Sequence, residues 1–80
     1  MKRVKAKLPS WDDGKRFIKE VSEILQKDIE IRDANQVIET ETYSVHMVPD
    51  DRGFAFITIK YADLQTGEKI EKILEKYVRT

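Results

Sequence analysis

The chain has 80 residues, 15 Lys+Arg against 15 Asp+Glu, a formal net charge of zero and no cysteine. This length predicts one domain over 1–80 in which helices and sheet share one apolar layer, and the lack of cysteine excludes a disulfide framework and thiolate chemistry. The charge balance weighs against a dedicated nucleic-acid binder, whose affinity comes largely from neutralised phosphates. No segment is long and apolar enough for a membrane span, and the start is not signal-like, so a cytoplasmic domain with no membrane partner is expected.

Arg3 to Leu8 alternates, with Val4, Ala6 and Leu8 on one side and Arg3, Lys5 and Lys7 on the other, which predicts a half-buried strand ended by Pro9. Ser10 reads as a helix N-cap with Asp12 and Asp13 in the first turn. Phe17, Ile18, Val21, Ile24 and Leu25 then recur at helical spacing, and Gly14 weakens the helix start without abolishing it. Ile29 and Ile31 share a face before the turn signal "DAN", and Val37 to Val48 has strand propensity. "PDDRG", Pro49 to Gly53, is a strong turn. In the strand Phe54 to Tyr61, Ala55, Ile57, Ile59 and Tyr61 face one way and Phe54, Phe56, Thr58 and Lys60 the other. Asp63 or Thr66 caps a last helix whose stripe is Ile70, Ile73, Leu74, Tyr77 and Val78. The economical arrangement is α+β: two helices on one face of a mainly antiparallel sheet, the other face open.

Little here carries catalytic chemistry. His46 is the single histidine, so a two-histidine metal site cannot be built, and a lone histidine in a Val/Met-rich run is expected to be structural or on the surface. Asp12–Asp13 suits a helix start and Asp50–Asp51 a turn, and the glycines are isolated. A non-enzyme without metal or cofactor is expected. The run "RGFAFITI", Arg52 to Ile59, resembles the longer signature strand of RNA-recognition-motif domains, which stack bases on exposed sheet aromatics. Phe54 and Phe56 would be that platform. The match departs at Ile59, at the first strand, which lacks the partner aromatic, and in having no closing strand.

Taken whole, the chain resembles the phosphocarrier protein HPr family. The resemblance lies in the strand "VKAKL", the helix "KRFIKEVSEI", the hairpin "DIEIRDANQVIE", the strand "AFITI" and the final helix "GEKIEKILEKY". It implies an open-faced sandwich of four strands with helices on one face, in the order β-α-β-β-α-β-α, with first and last strands adjacent. The family's phosphorylated histidine falls on Ser10 or Trp11, so the resemblance implies a degenerate site, and two following carboxylates would repel a phosphoryl group. The family's regulatory serine falls on Thr42, and the family fold implies a short helix over 42–48 where propensity reads strand. The adjacency of the end strands implies a binding face of Arg3, Lys5, Lys7, Phe54 and Phe56. The expectation is a non-catalytic HPr-like module that binds a protein partner or itself. The alternative is a small single-stranded nucleic-acid binder using the same face.

Overall fold

A computed structural model describes residues 1–78. The elements in chain order are β1 (Lys2–Leu8), α1 (Trp11–Leu25), β2 (Glu30–Arg32), β3 (Asn35–Glu39), β4 (Tyr43–Pro49), β5 (Ala55–Tyr61) and α2 (Leu64–Val78). The strands form one five-stranded sheet in the order β1-β5-β4-β3-β2, with every neighbouring pair antiparallel. The α+β class and the open antiparallel sheet agree with the sequence reading. The strand count and the middle of the chain do not: there are five strands, and Tyr43–Pro49 is a strand where the HPr frame has a short helix.

The reason is local. Tyr43, Val45 and Met47 are buried while Ser44, His46 and Val48 alternate with them on the opposite face, a period of two that a helix cannot satisfy. The break from β3 is made by Thr40. Its Oγ1 accepts from the Thr42 and Tyr43 N–H groups at 3.3 and 3.1 Å, and its own N–H donates to the Tyr43 carbonyl at 2.8 Å. A threonine side chain thus makes a tight turn over Glu41 and Thr42 without glycine or proline.

Both helices lie on one face. Phe17, Ile18 and Val21 of α1 and Ile70, Ile73 and Leu74 of α2 bury against Leu8, Ile38, Val45, Met47, Ala55, Ile57, Ile59 and Tyr61 of the sheet. Two glycines allow the close approach. A Cβ on Gly14 would stand 2.5 Å from the Met47 sulfur and 2.6 Å from the Ala55 Cβ, and one on Gly67 would enter the Tyr61 ring. Ser10 caps α1, accepting from the Asp13 N–H at 3.1 Å. Asp63 caps α2, accepting from the Gln65 N–H at 3.1 Å and from the Thr66 hydroxyl at 2.6 Å. Between the helices, the Glu20 carboxylate accepts from Lys76 at 2.5 Å and from Tyr77 at 2.7 Å. These contacts hold Glu20 below the usual carboxylate range, and burial, with Glu20 beside it, pushes the Tyr77 phenol up to about 12.

Two helices, each about 10 Å across, span roughly four strands spaced about 4.8 Å apart. The fifth strand overhangs. Ile31 of β2 lies opposite Gln36, which in turn lies opposite buried Met47, so Ile31 points to the helix side, yet it is 70% exposed.

Candidate functional site

On the open face the sheet register brings together side chains that are distant in sequence. β1 and β5 are neighbours, and Lys7 lies opposite Phe56, Lys5 opposite Thr58 and Arg3 opposite Lys60. On the other side of β5, Val48 lies opposite Phe56, His46 opposite Thr58 and Ser44 opposite Lys60. Lys7, Phe56 and Val48 therefore form one cross-strand row, and Lys5, Thr58 and His46 the next. Cross-strand neighbours at such spacing touch through their side chains.

This half of the face is basic and partly apolar. Phe56 and Val48 are each 38% exposed on the inner strands β5 and β4, near the turn that joins them, and Arg3, Lys5 and Lys7 line the exposed side of neighbouring β1. Phe54 precedes β5 at the end of the turn. The Gly53 N–H donates to the Asp50 carbonyl at 2.9 Å, the Asp50 N–H donates to the Phe54 carbonyl at 3.0 Å, and Gly53 takes φ 95°. That is a tight turn followed by a left-handed residue, a conformation in which glycine has no Cβ penalty. The Asp50 carboxylate fixes it further, accepting from the Arg52 N–H at 3.2 Å and from Arg52 Nε at 3.0 Å. The turn delivers Arg52 to the Phe54 ring, 5.7 Å from its centroid, while Lys7 reaches the same ring at 4.5 Å. Phe54 is thus occupied by two cations of its own chain, and Phe56 is the more available aromatic.

The other half of the face is closed. Val37 lies on the open side, opposite Glu30 and His46, yet it is only 1% exposed. Arg32 reaches from β2 across β3, donating to Glu30 and to Glu39 at 3.0 Å each, so its chain passes diagonally over Val37. Glu30 keeps a lowered pKa through its hydrogen bond to Arg32, and Arg32 is held more firmly cationic by Glu30 first and Glu39 second. His46 sits at the border, its Nε2 4.0 Å from Glu39. The face is therefore polarised, cationic and open at β1 and β5, ion-paired and sealed at β3 and β2.

The residues of the implied phosphosite are spent on structure. The Ser10 hydroxyl is the α1 cap, and Trp11 is half-buried against the core. Asp12 pairs with Lys15 at 3.5 Å and Asp13 with Arg16 at 3.2 Å. Thr42 does not begin a helix. It sits exposed in the β3–β4 turn, its carbonyl accepting from the Ala62 N–H at 2.8 Å. Ser10, Trp11 and Thr42 belong to no common site with the open face. Among the described residues no group of three His, Cys, Asp or Glu could hold a metal ion, and no helix is long and apolar enough to cross a membrane.

Sequence reasoning placed Lys60 beside the two phenylalanines but missed Val48 and the Glu30–Arg32–Glu39 cluster. Val48 escaped because the HPr frame put helix there. The cluster was hidden because Arg32 and Glu39 meet only after the hairpin folds. No protein-family model matches the chain, and neither does any curated protein or solved structure.

Proposed function

We propose that this chain is a non-catalytic interaction domain that binds a protein partner through the basic, partly apolar half of its open sheet face. The observation that carries the reading is the Lys7–Phe56–Val48 row, with Phe56 and Val48 each 38% exposed on two inner strands of the sheet, one row in from the β4–β5 turn. An exposed aromatic flanked on one side by a cationic strand fits a partner that presents carboxylates beside an apolar patch. The HPr-like reading is kept at the level of the frame: a first strand beside the last, helices on one face and a helix start with no histidine. The fifth strand sets it apart from that family.

Protein is favoured over single-stranded nucleic acid because Phe54, half of the stacking platform, is taken up by Lys7 and Arg52. The formal net charge is also zero, leaving a short cationic stripe instead of a basic surface. The test is a photo-crosslinking amino acid in place of Val48, irradiated in a cell extract, with each adduct digested by protease or nuclease. The expected adduct is protease-sensitive and nuclease-resistant, and is lost in a Lys5→Glu/Lys7→Glu background. A nuclease-sensitive adduct transfers the face to nucleic acid, and no adduct removes the reading. Phosphate accepted stably from the general enzyme of the sugar-transport phosphotransferase system would overturn the non-catalytic part.

A further inference from the structure

The two edges of the sheet differ in what they can pair with. Across the Asp33–Ala34 turn, Arg32 lies opposite Asn35, Ile31 opposite Gln36 and Glu30 opposite Val37. A two-residue turn makes the closing residues, Arg32 and Asn35, a hydrogen-bonded pair, and the ladder alternates from there. Arg32 and Glu30 therefore turn their N–H and C=O groups inward to β3. Ile31 turns both of its groups outward, to the free edge.

Now place a second copy of Glu30-Ile31-Arg32 antiparallel to the first, with the two-fold axis at Ile31. The two Ile31 residues exchange both backbone hydrogen bonds, and each Glu30 lies opposite the other copy's Arg32 on the open face. Each Ile31 side chain, 70% exposed in the single chain, meets its twin on the helix side. The tripeptide is its own complement in charge, hydrogen bonding and apolar contact. The same operation on β1 fails: with the axis at Lys5, Lys5 faces Lys5 and Arg3 faces Lys7, so like charges oppose one another all along its open face.

We infer that a second copy of this chain pairs with the β2 edge, doubling the five-stranded sheet into one continuous antiparallel sheet about a two-fold axis at Ile31. With three residues per strand, the contact falls in the small, weak class of interfaces. The proposal does not depend on the open-face partner, since it uses the opposite end of the sheet.

Glu30→Arg makes the edge cationic and Arg32→Glu makes it anionic, so each variant repels itself and complements the other. Sedimentation velocity from about 10 µM to 1 mM, a range suited to weak complexes, should show concentration-dependent dimer for the native chain and monomer for each variant alone. A 1:1 mixture of the two variants should dimerise at least about tenfold more tightly than either alone, as expected when two like-charge cross-strand pairs become two opposite-charge pairs. Native chain that stays monomeric at 1 mM, or variants that dimerise as well alone as mixed, would overturn the inference. Because Arg32 also covers Val37, a readout on the unmodified chain stands beside these. Hydrogen exchange at the Ile31 amide should slow as protein concentration rises, while that of Asn35 stays constant. Exchange at Ile31 independent of concentration would also sink the idea. Loss of the Val48 crosslink leaves this result untouched, so the two proposals fail separately.

Discussion

β1 runs seven residues, paired with β5 along its whole length, and α2 packs against it. β2 runs three, and its inward-pointing Ile31 is left 70% exposed. On the open side the order is reversed: the β1 end leaves Phe56 in water, whereas the β2 end hides Val37 under Arg32. The helices shelter the inner face only as far as their width reaches, so the overhanging strand is steadied from the outer face by ion pairs instead. Hydrophobic burial thus fixes the β1 end, and charge arranges what is left at the β2 end.

The sharpest way to break this comparison is to remove the same apolar atoms from both ends. Ile59, fully buried in β5, should cost about 2–5 kcal/mol as Ile59→Ala. Ile31→Ala in dilute solution should change stability by less than about 0.5 kcal/mol. Urea unfolding of the two variants measures both, and a cost above about 1 kcal/mol for Ile31→Ala would mean that the β2 end is covered after all.

Gly67→Ala tests how closely α2 must sit. Alanine improves helix propensity by about 1 kcal/mol, but the added carbon enters the Tyr61 ring. That ring cannot swing away freely, because its hydroxyl donates to Glu71 and Lys2 lies 5.9 Å over its face. Overpacking typically costs about 1–3 kcal/mol, so the net effect should be a lower urea midpoint. A raised midpoint would show that α2 floats on the sheet.

The smallest expected effect concerns the helix–helix contact at Glu20. Its carboxylate titrates below its ordinary value, through its hydrogen bonds to Lys76 first and Tyr77 second. A depressed folded-state pKa contributes stability that is complete above the unfolded value and is lost as pH falls through the folded one. Between about pH 5 and pH 3 the native chain should therefore lose more stability than Glu20→Gln. Parallel curves for the two would remove the ion pair from the account.

Much of this was legible in the chain. The alternation of Arg3 to Leu8 and of Phe54 to Tyr61 assigned both strands to their faces, because their apolar residues keep a strict period of two under helices with clear stripes. Ser10 announced its cap, whereas the cap of α2 was open between Asp63 and Thr66 until the structure showed Asp63 accepting from both the Gln65 N–H and the Thr66 hydroxyl. The turn after Glu39 was not legible: "TETYS" contains none of the usual punctuation, and the Thr40 hydroxyl that makes it looks like any strand threonine. The glycines misled in a different way. Gly14 reads as a defect in a helix when only propensity is weighed, and its use appears once Met47 and Ala55 are known to lie beneath it. The open face was readable as a list of side chains but not as rows, since the row through Phe56 needs the β4 register, which the HPr frame denied.

The adjacency of β1 and β5 also bears on how the molecule comes into being. Strands β2 to β5 form a meander in which each pairs with its neighbour in sequence, whereas β1 pairs only with the last strand. On a ribosome β1 must wait for β5 to emerge before it has a partner, and closing that long loop is a costly step. During the wait, the lysines and arginine of its cationic stripe work against pairing of an otherwise bare strand with its twins on neighbouring nascent chains.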